Sequence, residues 1–186
     1  MNVLLGPATC NTGSETTCKG SDMRQLRVIF VALIVGYVVY AFTNDAERDE
    51  AGNIISEGQI DAFALQVGDC FNDSQAIIDS GSSEVEVHDV AGVPCSEPHD
   101  NEVYAVFDVS FDAFPGDESM FDLSTAECRK RFKGFVGKSY EESILDIFAV
   151  YPTHESWSQL DDREVVCAAY HLDYKKLTGS ARGLGI

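Results

Sequence analysis

The chain has 186 residues and a formal net charge of −18, from 31 acidic and 13 basic side chains. A surface this negative repels nucleic acid and anionic lipid head groups, so we expect neither as a partner. It suits a well-hydrated domain that attracts cations or basic partners.

Residues 1–25 are rich in Thr, Ser and Gly, lack apolar periodicity, and predict a short cytoplasmic tail. Cys10 and Cys18 have no histidine near them, so this tail does not indicate a metal site. Met23 is a second candidate start, because the basic-then-apolar order of residues 23–35 is itself typical of an export signal.

Residues 26–42 form an apolar run interrupted only by Arg27. About 17–20 helical residues cross a hydrocarbon core of roughly 30 Å, so this run predicts a transmembrane helix. Basic residues precede it and acidic residues follow it, which predicts a cytoplasmic N-terminus and an extracytoplasmic C-terminal domain in a single-pass membrane protein. A cleaved signal peptide is the alternative, although residues 40–45 offer no good small-residue cleavage site. A buried core helix is a further alternative.

Residues 43–59 are polar and acidic, contain Gly52 and Gly58, and predict a linker. Residues 60–186 suffice for one hydrophobic core and are too few for two comfortable domains. The three glycines in residues 176–186 predict a loosely attached end.

Strand patterns dominate the first half of this domain. Residues 62–67 are apolar and end at a turn, and residues 85–90 alternate with period two. Residues 102–109 alternate more clearly, which predicts that Val103, Ala105, Phe107 and Val109 share one face. Residues 110–120 contain Pro115 and predict a long loop.

A helix is predicted next, beginning at a capping box formed by Ser124 and Glu127. Its apolar stripe includes Cys128 and Phe132, and Gly137 is its predicted stop. A short helix at 139–142 and strands at 147–151 and 164–172 follow. The fold class is therefore α+β: one transmembrane helix and a single mixed α/β domain.

The exported part contains four cysteines: Cys70, Cys95, Cys128 and Cys167. An even number in an oxidising compartment predicts two disulfides, and their wide spacing argues against a compact metal site. Spacing alone leaves all three connectivities possible. We favour Cys70 with Cys95 and Cys128 with Cys167.

Several short blocks carry a resemblance to a known family. They are Gly-Asp-Cys at 68–70, the segment 93–103 (Val-Pro-Cys-Ser-Glu-Pro-His-Asp-Asn-Glu-Val), Tyr-Pro at 151–152 before Trp157, Asp162-Arg163, and the strand around Cys167. In this order the blocks resemble the septum-formation domain family of membrane-anchored actinobacterial envelope proteins, over roughly residues 64–180. Asp161 stands where that family has glycine, and aspartate accepts a positive φ less readily.

The resemblance implies a cell-envelope role around division and no known catalytic activity. The motif residues it marks are Gly68, Asp69, Pro98, His99, Glu102, Trp157, Asp162 and Arg163. We expect Trp157 to be tucked into the core by a helical turn, and Asp162 and Arg163 to form a structural ion pair.

Two chemical interpretations compete with structural roles for these residues. Cys95 with His99 resembles a thiol nucleophile with its base, but a paired cysteine and a histidine that hydrogen-bonds its own loop explain both residues. The group His88, Asp89, His99, Asp100 and Glu102 resembles a cation site, but solvated loop residues explain it without a metal. We therefore expect no catalytic residues, metal or cofactor.

The segment 111–121 holds more apolar side chains than a plain connection needs. Its candidate interaction residues are Phe111, Phe114, Met120 and Phe121. We expect a non-enzymatic, membrane-tethered protein that binds a division protein, another envelope protein or a wall component. An envelope hydrolase or thiol enzyme, and a cation- or ligand-binding sensor domain, are the alternatives.

Overall fold

The computed structural model describes residues 29, 31–33, 45–73 and 87–186, and the chain divides into the units Met1–Ala41 and Phe42–Ile186. In the first unit, Ile29 and residues 31–33 are helical and exposed. No helix among the described residues is both long and apolar enough to cross a membrane. The predicted tail at 1–25 and most of the predicted span at 26–42 lie outside the described residues.

The second unit is built on an antiparallel sheet of six strands. In chain order they are β3 (Gly58–Asp61), β4 (Cys70–Asn72), β5 (Asp89–Val93), β6 (Asn101–Asp108), β7 (Leu145–Val150) and β8 (Glu164–His171). Their spatial order is β3-β5-β4-β6-β8-β7. A separate two-stranded sheet pairs β1 (Glu47–Arg48) with β2 (Ile54–Ser56).

The prediction of a linker at 43–59 is wrong for the part that the structure describes. Strands β1 and β2 occupy this segment, and β3 begins at Gly58. Ile54 is 7% exposed and belongs to the same buried cluster as Ile60 and Phe71. The polar composition concealed this role, because one well-placed apolar side chain suffices to dock a short strand.

The long helix, α1 (Asp117–Val136), begins seven residues before the predicted capping box at Ser124. Asp117 and Glu118 occupy its first turn, where negative charge favours the helix dipole. Ser124 is fully buried on the helical stripe that continues through Cys128 and Phe132. The predicted stop is confirmed: Gly137 has φ +88° and donates its N–H to the carbonyl of Lys133.

Strand β6 contains a bulge that changes the predicted facing of its residues. Val103 pairs with Ala168, whereas Ala105 pairs with Cys167, so Tyr104 is the extra residue. As a result Val103 faces a different buried cluster from Ala105, and the prediction that they share a face is wrong.

Most of the remaining elements agree with the predictions. The short helix predicted at 139–142 is a 3-10 turn, Tyr140–Glu142, and the strands predicted at 147–151 and 164–172 are β7 and β8. A second helix, α2 (His154–Gln159), is capped by Thr153 and carries the buried Trp157. Residues 62–67 form a 3-10 turn, Ala62–Ala64, and a following turn.

Buried clusters lie on both faces of the sheet, and one of the two disulfides links the helix to the sheet. Helix α1 packs one face, where Phe132 and Val165 belong to one buried cluster. Cys128 in α1 is bonded to Cys167 in β8, with a Cα–Cα distance of 5.5 Å. Cys70 is bonded to Cys95, with a Cα–Cα distance of 5.2 Å. Two disulfides are therefore confirmed, in the pairing that we favoured.

Candidate functional site

The first group of motif residues lies where β4 begins beside β6. Gly68 has φ +100°, a conformation that glycine adopts and side-chain-bearing residues rarely do. Its N–H donates to the carbonyl of Val103 at 2.8 Å, and the N–H of Val103 donates to the carbonyl of Asp69 at 2.8 Å. The Gly-Asp pair therefore sets the start of β4 against β6.

Asp69 is buried and forms a two-pronged ion pair that the sequence did not indicate. Both terminal nitrogens of Arg48 contact its carboxylate, at 2.6 and 2.7 Å, and Arg48 also donates to the carbonyl of Gly52. The hydrogen bond that Arg48 donates to the carboxylate of Asp69 raises the pKa of the Arg48 guanidinium above its ordinary value. This pair ties β1 to the turn before β4.

His99 lies in the same region, and its burial corrects the expectation of a solvated loop residue. The side chain is fully buried, and its Nδ1 lies 2.8 Å from the carbonyl oxygen of Glu97. Nδ1 therefore donates its proton to that carbonyl, and in the neutral imidazole Nε2 then carries the lone pair. Nε2 has no hydrogen-bond partner among the described residues. Pro98, just before it, is exposed.

Glu102 is the second fully buried polar motif residue, which also corrects the solvated-loop expectation. The hydroxyl of Ser180 donates to its Oε1 and the backbone N–H of Ala181 donates to its Oε2, each at 2.5 Å. Three potential ligand atoms lie within 4.8 Å of one another: a ring nitrogen of His99, a carboxyl oxygen of Glu102 and the sulfur of Cys70. The motif residues His99 and Glu102 thus form one buried polar cluster beside the Cys70–Cys95 disulfide.

The C-terminal segment closes this cluster, so the prediction that it is loosely attached is wrong. Leu177 forms an antiparallel bridge with His99, and the N–H of Gly179 donates to the carbonyl of Cys95 at 2.7 Å. Ala181 is buried, and the N–H of Gly183 donates to the carbonyl of Phe135 in α1. Residues 177–183 therefore act as a strap from the cluster to α1.

The other members of the proposed cation group, His88, Asp89 and Asp100, do not join this cluster. His88 and Asp89 are exposed. Asp100 forms an ion pair with Lys176 at 2.6 Å and accepts the backbone N–H of Asp73.

A second group of motif residues lies at the start of β8 and consists of Trp157, Asp162 and Arg163. The guanidinium of Arg163 lies 3.5 Å from the centroid of the Trp157 ring, which is a cation–π contact. The ion pair of Arg163 is with Asp161, at 2.8 Å, rather than with Asp162 as predicted. Asp161 has φ +56°, whereas Asp162 accepts from the hydroxyl of Ser156 and the N–H of Glu164. This group is a structural corner that covers the core tryptophan.

The candidate interaction residues in 111–121 divide into core and surface. Met120 is fully buried in α1, so it is not available for contact and that prediction is wrong. Phe114 is half-buried, with its ring edge-on to the rings of Trp157 and His154. Phe111 and Phe121 are 42% and 43% exposed. The predicted loop is therefore a short connection plus the first turn of α1.

The fold and these sites define a class: a two-disulfide α+β domain in which four of the eight motif residues, Asp69, His99, Glu102 and Trp157, are buried. The sequence pattern of the septum formation family matches residues 53–178. The match covers more than half of the 186 residues, and the chain belongs to this family. Membership connects the domain with septum formation and thus with cell division. No curated protein and no solved structure matches the chain.

Proposed function

We propose that the chain is a single-span, membrane-tethered protein whose extracytoplasmic domain binds another protein of the division apparatus and performs no catalysis. Family membership supplies the connection with septum formation. The observation that carries the binding role is that Phe111 and Phe121, ten residues apart in sequence, are 42% and 43% exposed, and that the ring of Phe121 contacts the ring of Tyr151.

Tethering is supported by the apolar run at 26–42 and by the charge asymmetry around it. Ile29, Val31 and Leu33, within this run, are helical and 59–66% exposed, as suits side chains that contact lipid. The two disulfides fit an oxidising, extracytoplasmic compartment. Protease added to intact spheroplasts should remove the domain and leave a membrane-bound stub. Full protection of the domain would contradict this topology.

The binding surface that we propose consists of Phe111, Phe114, Phe121 and Tyr151, and we name it the aromatic face. The rings of Phe121 and Tyr151 lie 6.2 Å apart, which connects the first turn of α1 to the end of β7. Exposed carboxylates surround it in sequence: Asp112, Asp117, Glu118 and Asp122. Charge complementarity therefore favours a partner segment that combines basic and apolar side chains.

Substitution of one exposed phenylalanine tests this surface. Phe121→Asp should abolish co-purification of the partner from crosslinked membranes, without unfolding the domain, because Phe121 is already 43% exposed. Phe63→Asp is the matched control, because Phe63 is 54% exposed and follows β3, at the opposite edge of the sheet from β7. Equal capture by both variants would contradict the aromatic face.

Phe114→Asp separates a binding effect from a folding effect. Phe114 packs on Trp157, so its replacement buries a charge without a partner and should destabilise the domain. A Phe114→Asp protein with unchanged stability would show that residue 114 belongs to the free surface rather than to the core.

The non-enzymatic part of the proposal is supported by the state of the suspected nucleophile. The sulfur of Cys95 is bonded to Cys70 and is not a free thiolate. His99 is fully buried beside it, which suits a structural role. His99→Ala should therefore alter stability and leave septum formation intact in cells where the variant folds. Loss of a measurable hydrolytic turnover in a folded His99→Ala protein would favour the thiol enzyme instead.

A further inference from the structure

The buried cluster beside the Cys70–Cys95 disulfide contains the donor set of a tetrahedral metal site. Cys70, His99 and Glu102 are all fully buried, and their donor atoms lie within 4.8 Å of one another. Cys95 supplies a fourth donor, because its sulfur is bonded to that of Cys70. Two sulfurs, one imidazole and one carboxylate are ligands that zinc prefers.

The hydrogen bonds around these residues are those that orient metal ligands. Metal-binding histidines typically donate the other ring N–H to a carbonyl or carboxylate, and His99 donates Nδ1–H to the carbonyl of Glu97 at 2.8 Å. Its Nε2 lone pair is buried without a partner among the described residues. The carboxyl group of Glu102 is held by Ser180 and Ala181 and retains further lone pairs.

We propose that reduction of the Cys70–Cys95 disulfide by a dithiol converts this cluster into a zinc site formed by Cys70, Cys95, His99 and Glu102. Reoxidation by exchange with a disulfide, which is itself reduced to two thiols, re-forms the Cys70–Cys95 bond and releases the metal. This inference is independent of the proposed partner binding. In neutral His99 the buried Nε2 lone pair has no partner among the described residues, which is costly in the oxidised protein, and a metal ion would satisfy it.

The geometry requires only small movements. Zinc bonds of about 2.0–2.3 Å in a tetrahedron place the donor atoms roughly 3.3–3.8 Å apart. The three donor atoms that already lie within 4.8 Å must therefore approach by about 1 Å. The two sulfurs must separate from their bonded distance, which breaking the disulfide permits.

The chemical steps balance with a dithiol as the reductant. Its two thiols break the Cys70–Cys95 bond by exchange, so the dithiol is oxidised to its own disulfide and the two cysteines become thiols. Zinc then forms two Zn–S bonds and displaces two protons. The sulfur of Cys95 is the accessible point of attack, because Cys95 is partly exposed whereas Cys70, Cys128 and Cys167 are fully buried.

The test uses the full-length chain carrying Cys10→Ser and Cys18→Ser, so that the tail contributes no thiols. After mild phosphine reduction, with peptide mapping to confirm that only Cys70 and Cys95 are free, Co²⁺ titration should show one tetrahedral thiolate site that zinc displaces. The oxidised chain should show none. Zinc should also protect both thiols from alkylation.

Matched variants distinguish a built site from adventitious binding. His99→Ala should weaken binding at least 10-fold, whereas His88→Ala, at an exposed histidine, should not change it. Ser180→Ala should weaken binding about 10-fold, which keeps the test decisive if His99→Ala does not fold. The proposal would be overturned if the Cys70→Ser/Cys95→Ser variant still bound Co²⁺. It would also be overturned if the His88→Ala and Ser180→Ala variants bound Co²⁺ with equal affinity.

Discussion

Glu102→Ala should destabilise the domain by releasing the strap at residues 177–183. The change removes two hydrogen bonds, from the Ser180 hydroxyl and the Ala181 N–H, each at 2.5 Å. A typical hydrogen bond contributes about 0.5–1.5 kcal/mol, and the N–H of buried Ala181 would lose its partner at a further cost of about 1–3 kcal/mol. Because these terms overlap, we expect a loss of about 2–4 kcal/mol.

Urea unfolding followed by the fluorescence of Trp157, the only tryptophan, measures this loss. With a slope of about 2 kcal/mol per molar urea, the midpoint should fall by about 1–2 M. Glu102→Gln is the control, because its amide can accept from Ala181 and donate to Ser180, and it should cost less than about 1 kcal/mol. Equal stabilities of the two variants would refute the reasoning that these hydrogen bonds fasten the strap.

Three further predictions use the same unfolding assay. Gly68→Ala should lower the free energy of unfolding by about 1–2 kcal/mol, because residue 68 has φ +100°. Gly134→Ala is the control: residue 134 is exposed in α1 with open space around the added Cβ, so this change should raise the free energy of unfolding by about 0.5–1 kcal/mol. A Gly68→Ala variant that is more stable than the parent would contradict the backbone conformation at residue 68. Burial, and to a lesser extent the charges of Asp108 and Asp162, raises the pKa of the Glu164 carboxyl in the folded protein. Glu164 therefore ionises more readily in the unfolded chain, where its pKa is about 4, and the folded state loses stability as the pH rises above that value. Glu164→Gln should therefore stabilise at pH 7 and have little effect below about pH 4, and a pH-independent effect would contradict that origin. Replacing Cys128 and Cys167 with alanine should lower the free energy of unfolding by about 4 kcal/mol, because the disulfide restricts an unfolded loop with a sequence separation of 39 residues. A loss of less than about 1 kcal/mol would contradict a stabilising role for this disulfide.

Local patterns predicted the features that depend on neighbouring residues. Gly137 ends α1 because a glycine after an apolar stripe adopts the left-handed conformation. Strand β8 was recognisable from its continuous apolar run, since both of its faces are covered. The disulfide count followed from an even number of cysteines beyond a predicted membrane span.

Misleading local signals explain the errors at α1. Pro115 and Gly116 predicted a loop, but they directly precede the helix, and Gly116 is its N-cap. The capping-box pattern at Ser124 lies inside α1, where the small hydroxyl faces the core. Met120, predicted as an interaction residue, thereby became part of the buried stripe.

Long-range contacts explain what the sequence could not indicate about the buried cluster. Glu102 is held by Ser180 and Ala181, which follow it by 78 and 79 residues. Asp69 is paired with Arg48 from a segment whose composition predicted a linker. No periodicity or short motif encodes such partners, although charged residues in an apolar strand, such as Glu102 in β6, are a signal that partners exist.

Site-specific photo-crosslinking in dividing cells tests the proposed binding role most directly. A photoreactive amino acid at position 121 should form an adduct with one protein partner, enriched at the septum, whereas the same probe at position 63 should not. Adducts of equal yield from both positions, or none at position 121 in a folded protein, would contradict a binding role for the aromatic face.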